Sequence, residues 1–277
     1  MLAVAIIVFR EVLEAALIIG IVLAAAVGLE GRGRWVGTGI AAGTVGAALT
    51  AGFAAHLTAS LSGIGQEVFN AAILGVAVVM LAWHTIWMAK HGREMAARAR
   101  GVAAKIGDGT RHVRALAVIV AAAVLREGAE TVLFIAGVAA SGDETVLGLT
   151  SGALLGLAGG VLAGGALYAG LLRIPVSKLF SVTGWLVLLL AAGLAAQAAG
   201  FLIQADLLPS LGEEMWDTSF LLAEDGMAGR VLHTLVGYVA RPAGAQVLAY
   251  GLTLLAVGVP MLLLRQPAGP RRNAVPT

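Results

Sequence analysis

Two copies of one charged pentapeptide stand inside segments apolar enough to be buried in a lipid bilayer. Arg10-Glu11-Val12-Leu13-Glu14 lies in the middle of the first apolar run, and Arg126-Glu127-Gly128-Ala129-Glu130 in the middle of the fourth. On an α-helix, residues three and four apart project from one face. Glu11 and Glu14 therefore point the same way, with Arg10 in reach of Glu14, and Glu127, Glu130 and Arg126 repeat the arrangement. Each ionised group near the centre of a membrane helix costs roughly 2.5–3.5 kcal/mol, so six amount to about 15–20 kcal/mol if nothing compensates them. They must pair with one another, face water or hold something.

Four carboxylates and two guanidiniums leave a net charge of about −2 if all are ionised, which suits a di- or trivalent cation. Ligation by oxygen alone selects hard ions such as iron, manganese, magnesium or calcium over thiolate-seeking ones. The arginines orient the carboxylates and partly neutralise the empty site. Two other readings use the same residues. One is a salt-bridge network that only ties the two helices together; the other is a proton relay.

The rest of the chain is what a membrane protein needs to position such groups. Of the 277 residues 59% are apolar and 12% charged, and the mean hydropathy is +0.93. About seven spans are predicted, at 2–28, 36–58, 64–89, 113–140, 145–172, 178–204 and 244–264, each near the roughly 20 residues a bilayer requires. The 38 glycines let membrane helices approach closely. No cysteine is present, so disulfides and thiolate metal sites are excluded. The first run resembles a signal peptide at Ala24-Ala25-Ala26, but it lacks a basic start and carries three charges in its core, which predicts an uncleaved helix.

The sequence pI near 9.3 comes from basic residues gathered on one side of the spans. Arg32, Arg34, the run Lys90, Arg93, Arg98, Arg100, Lys105, Arg111 and Arg114, then Arg173, Lys178, Arg265, Arg271 and Arg272 fall there, against Arg230 and Arg241 on the other side. The excess predicts a cytoplasmic C-terminus and an N-terminus outside, with the basic 90–114 loop facing the cytoplasm and anionic lipid rather than nucleic acid.

The pentapeptides are separated by 116 residues, and Gly39 and Gly43 are matched by Gly152 and Gly156 at a shift of 113. Phe69 and Phe180 carry a weaker match of the third and sixth spans. Three spans per unit turn the second unit upside down, so the expected architecture is all-α: an inverted 3+3 repeat, 1–90 and 113–204, then an extracytoplasmic loop 205–243 and a last helix 244–264. Such inverted repeats share a site near the membrane midplane.

The pair of Arg-Glu-x-x-Glu motifs in the first and fourth of seven spans resembles the high-affinity iron permease family, which includes oxidase-coupled fungal permeases and bacterial EfeU-type permeases. Trp216-Asp217-Thr218-Ser219, Glu224-Asp225 and the stretch Leu232-His233 to Gly237-Tyr238 are similar to that family's last extracytoplasmic loop, and the likeness runs from Phe9 to about Leu255. The resemblance implies that Glu11, Glu14, Glu127 and Glu130 bind iron, as Fe³⁺ or Fe²⁺, for passage into the cell, with a manganese or other divalent-cation carrier as the near alternative. It also implies periplasmic iron-binding, oxidase or peroxidase partners.

Other polar residues are assigned smaller parts. Acids dominate the outer connections, where Asp143, Glu144, Asp206, Glu213, Glu214, Asp217, Glu224 and Asp225 would concentrate cations. Glu213, Glu214 and Asp217 share a face if their segment is helical, so they are entrance candidates, with Glu67 at the outer start of the third span. Residues 226–240 read as a short amphipathic interfacial helix. His84, between Trp83 and Trp87, is expected in an aromatic belt at the inner end of its span. The rival class, a membrane redox subunit or intramembrane enzyme, lacks support: no two histidines face each other at depth for haem, and no His-Glu-x-x-His occurs.

Overall fold

The computed structural model describes residues 1–61, 65–107, 112–142, 144–170, 176–222 and 226–264. Asp108, Arg111, Asp143, Arg173, Glu224, Asp225 and the C-terminal arginines lie outside them, as do the side chains of the basic run from Lys90 to Lys105 and those of Lys178 and Arg230. The described residues contain eight helices and no strand: α1 (Leu2–Ala25), α2 (Arg32–Leu61), α3 (Gln66–Gly107), α4 (Arg114–Ala140), α5 (Val146–Tyr168), α6 (Val176–Gln204), α7 (Met227–Val236) and α8 (Gly244–Leu263).

Five of these are long and apolar enough to cross a membrane, within α2, α3, α5, α6 and α8. α1 and α4, of 24 and 27 residues, have the length as well; what separates them is the charged pentapeptide each carries. The chain is an all-α, multi-pass membrane protein. α7, a 10-residue helix ended by Gly237 in the left-handed conformation (φ 69°), occupies part of the 226–240 segment.

The apolar stretch of α3, Gln66–Met88, matches the expected third span, but the helix continues to Gly107, so most of the basic connection, expected as a loop, is helix. Its 42 residues span about 63 Å at about 1.5 Å per residue, roughly twice the hydrocarbon thickness of about 30 Å. The reason is local: from Lys90 to Gly107 the chain is rich in Ala, Arg and Lys and has no proline, so helix propensity carries on after the apolar stretch ends, in spite of three glycines.

α1 and α4 are the central helices. α1 packs on α5, α4, α3 and α6, while α4 packs on α2, α1 and α3. Their buried side chains join two clusters. One combines Val4, Ile7, Leu74, Leu81, Phe134, Val187 and Leu190; the other combines Val22, Val36, Leu116 and Val120. α2, α5 and α8 present Leu49, Phe53, Leu154, Leu162, Leu252 and Leu255 outward, as lipid-facing helices do.

Lipid offers no hydrophobic drive between helices, so close backbone contact must hold them. In the α2–α4 pair, a Cβ on Gly39 would stand 2.6 Å from the Ala117 carbonyl oxygen, and one on Gly43 2.6 Å from Val124 Cβ. In the α5–α1 pair, Gly152 meets Met1 O and Val4, and a Cβ on Gly156 would stand 2.5 Å from Ala5 O and 2.8 Å from Val8 Cβ. The partners Met1, Val4, Ala5 and Val8 are Ala117, Val120, Ala121 and Val124 shifted by the motif spacing. Both helix pairs therefore interlock through the same atoms. The amine of Met1 also pairs with Glu144, which puts the N-terminus and the α4–α5 connection at one end of the bundle.

Gly156→Val should push backbone against backbone and lower stability by about 1–3 kcal/mol. Gly165→Ala, where nothing lies within 4 Å, should be neutral. Thermal unfolding of the two purified variants in detergent checks the contrast.

Candidate metal site

The two pentapeptides meet in the interior, because their helices pack on each other and each turns its charged face inward. Glu11 is 1% exposed, and Arg10, Glu14 and Glu127 are each 3% exposed. Each arginine serves its own helix in the same way. Arg10 Nη1 lies 3.4 Å from Glu11 Oε1 and its Nε 3.2 Å from Glu14 Oε1. Arg126 Nε lies 3.7 Å from Glu127 Oε1 and 3.1 Å from Glu130 Oε1. Arg126 is further held by the ring of Trp87, 4.6 Å below its guanidinium carbon, a cation–π contact.

The third contributor is α3, through a residue that sequence reasoning placed elsewhere. His84 is buried inside the cluster rather than in an aromatic belt: Nδ1 pairs with Glu130 Oε2, and Nε2 faces Glu11 Oε2 at 3.8 Å and Glu14 Oε2 at 3.6 Å. Its neighbour Trp83, 72% exposed, keeps the outward position expected of both. The belt reading failed because the face of α3 that carries His84 points into the bundle, where α1 and α4 bring carboxylates against it. The available signal was the helical face shared by His84, Trp87 and Met88, all three of which contact charged residues of the cluster.

Glu11, Glu127, Glu130 and His84 each place a ligand-type atom within 4.8 Å of the others. Glu14 stands beside this group, against Arg10 and His84. Glu11 Oε2, Glu14 Oε2, Glu127 Oε2 and His84 Nε2 have no hydrogen-bond partner among the described residues. Unsatisfied buried acceptors of this kind each cost about 1–3 kcal/mol, more when charged, so the cluster is built to receive a cation. Ile7, one turn before Glu11, and Phe134, whose ring meets that of His84, are both fully buried. A cavity of about 190 Å³, lined by Val79, Met80, Trp83, His84 and Glu130, adjoins it on another side.

The entrance candidates are not brought to this cluster. Residues 205–222 contain no helix, so Glu213, Glu214 and Asp217 do not share a helical face. Positive φ at Asp206, Leu211 and Gly212 and Pro209 prevent one. Asp217 accepts from the amide and hydroxyl of Ser219, at 2.9 and 2.6 Å, and pairs with Arg241 at 3.2 Å. The Ser219 hydroxyl, then its amide, then Arg241 hold the Asp217 carboxyl below its ordinary range. Glu214 reaches the same arginine at 4.0 Å, and Glu213 is exposed. Thr218 bonds Tyr238 and Ala240, so the Trp216–Ser219 segment is stitched to residues 238–241. Glu67 lies exposed in the first turn of α3.

Fold and site together define a multi-pass helical membrane protein built around a buried cluster of groups able to hold a metal ion. The chain matches the iron permease FTR1 family over residues 1–266, and it belongs to that family. It is similar to proteins named ferrous iron permease EfeU. The one from Escherichia coli O6:H1 is 32% identical over 93% of this chain and 94% of its own length. Those from Shigella sonnei and Yersinia pestis are 33% and 31% identical over 90% and 93% of this chain and 91% and 90% of theirs. No solved structure shows significant similarity to the chain.

Removing Arg10 alone should be severe. Arg10→Met leaves Glu11 and Glu14 buried with their nearest counter-charge gone, a loss of about 3–5 kcal/mol for a broken buried pair. Adding Glu14→Gln should recover part of it. Unfolding temperatures of the single and double variants test this against Asp217→Asn, which should stay within about 0.5 kcal/mol of wild type at its exposed position.

Proposed function

We propose that this chain is an iron permease that carries Fe²⁺ into the cell through one shared site made by Glu11, Glu14, Glu127 and Glu130. The observation that carries the reading is the set of buried carboxylate oxygens that the two arginines leave unsatisfied. Four carboxylates and two guanidiniums are balanced by one divalent ion, and hard oxygen donors suit iron. The names of the relatives and the family support the same cargo. The matched atoms of the α2–α4 and α5–α1 contacts support an inverted 3+3 repeat with the site at its centre.

In this reading the N-terminus, the α4–α5 connection and the 205–243 segment face outward, and the basic α3 extension faces the cytoplasm. Acids on the outer segment raise the local cation concentration without binding tightly. Glu213→Gln or Asp217→Asn should therefore raise the half-saturating iron concentration while leaving maximal uptake near wild type. Reporter fusions between α3 and α4 and at the C-terminus should both signal cytoplasm; an outside signal from either overturns the orientation.

The decisive measurement is radiolabelled iron uptake into proteoliposomes, with and without reductant and with excess Mn²⁺. Uptake should require reductant and persist against manganese; manganese transport without iron transport removes iron from the reading. Each of Glu11→Gln, Glu14→Gln, Glu127→Gln and Glu130→Gln should abolish most uptake while the protein still purifies, and double variants should lose little more. Arg10→Lys and Arg126→Lys should be milder, because a point charge replaces a planar fork.

A further inference from the structure

We propose that His84 Nε2 is the nitrogen ligand of the transported ion, positioned by Glu130, and that it makes the site select Fe²⁺ over Mn²⁺ and both over Ca²⁺. This rests on reading the glutamate cluster as the iron site, and it adds a residue from outside both Arg-Glu-x-x-Glu motifs.

A neutral imidazole has one N–H and one lone pair. In the neutral ring that a metal ligand must be, the hydrogen sits on Nδ1, because Nδ1 lies against Glu130 Oε2, a carboxylate oxygen that only accepts. The Nε2 lone pair then faces Glu11 Oε2 at 3.8 Å and Glu14 Oε2 at 3.6 Å, with no hydrogen-bond partner among the described residues. Three electron-rich atoms turned toward one buried point repel each other unless a cation lies between them: a proton on Nε2 fills that place in the empty site, and a metal ion displaces it. Atoms bound to a single transition-metal ion at about 2.0–2.2 Å stand roughly 3–3.5 Å apart, so a shift of a few tenths of an ångström completes the set. An imidazole that gives its other N–H to a carboxylate is the usual form of a metal-bound histidine, because that bond fixes the tautomer and strengthens the donor.

The surroundings hold the ring in this pose. His84 is 4% exposed, and Phe134 meets it edge-on at 6.5 Å with an 80° interplanar angle. The adjoining 190 Å³ cavity leaves room for water to complete the ion's shell. A nitrogen donor separates metals in a way that carboxylates do not. Imidazole suits iron and other transition metals, while calcium, magnesium and manganese prefer oxygen, and iron(II) outranks manganese(II) at mixed sites.

The test uses the purified full-length protein loaded with Mn²⁺ as a paramagnetic probe and read by pulsed electron paramagnetic resonance. The wild type should show coupling from a directly bound imidazole nitrogen, absent in His84→Gln and His84→Asn and unchanged in the exposed variant Glu213→Gln. In anaerobic equilibrium binding, His84→Gln should weaken Fe²⁺ by about tenfold or more, Mn²⁺ less, and Ca²⁺ hardly at all. Bound Mn²⁺ without nitrogen coupling in the wild type, or an unchanged Fe²⁺-to-Ca²⁺ preference in His84→Gln, overturns the role of His84 while leaving the glutamate site standing. Wild-type protein that binds no Mn²⁺ and no Fe²⁺ overturns both.

Discussion

The structure depends on gathering four carboxylates against only two guanidiniums in the interior of the helix bundle. Because Arg10 pairs with Glu11 and Glu14, and Arg126 with Glu127 and Glu130, the charge is reduced but not cancelled. A helix bearing such a face cannot turn it to lipid. α1 and α4 must therefore occupy the centre with their charged faces together, and other helices must cover their remaining sides. That requirement decides which helices are lipid-facing. α2 and α5 take that position, and their outward leucines, valines and Phe53 could face lipid only because α1 and α4 do not.

Covering a central helix closely demands small residues at the crossing. α5 buries glycine at every fourth position, Gly152, Gly156, Gly160 and Gly164, against Val4, Val8, Val12 and Ala16 of α1. α2 does the same to α4 with Gly39 and Gly43, and at the next turn the roles reverse, Gly128 of α4 receiving Ala47. Each outer helix thus packs on the central helix that is not its neighbour in sequence, α2 on α4 and α5 on α1. Glu11 and Glu127 stand at matched depth because the same interlocking contacts fix the height of both central helices.

The sequence revealed this plan wherever it depended on local pattern. Apolar length placed the spans, the pentapeptides located the charged faces, and the glycine spacing located the close crossings. What it did not reveal depended on where one helix ends and on three-dimensional neighbours. α3 runs through its basic extension because propensity outlasts hydropathy, and the place of His84 was hidden because no local pattern shows that α1 and α4 bring carboxylates against its face. The acids at Glu213, Glu214 and Asp217 read as a helical face by spacing alone. Their backbone is instead committed to a stitched loop, with Asp217 bound to Ser219 and Arg241. Periodicity puts His84 on one face with Trp87 and Met88, but what that face touches, like the conformation of the 213–217 segment, is set by neighbours distant in sequence.

His84 also breaks the correspondence between the halves. The shift that matches Phe69 with Phe180 sets Ala195 of α6 opposite His84 of α3, so the cluster is two-fold in its acids and one-fold in its imidazole. The carboxylates come from both α1 and α4, but the imidazole comes from α3 alone. Glu130 bears the consequence: one of its oxygens is held by Arg126, as in the first motif, while the other is held by His84. The equivalent oxygen of Glu14 faces Nε2 across an open gap. Two sequence-identical motif positions are thereby placed in different chemical situations by a single residue of a third helix.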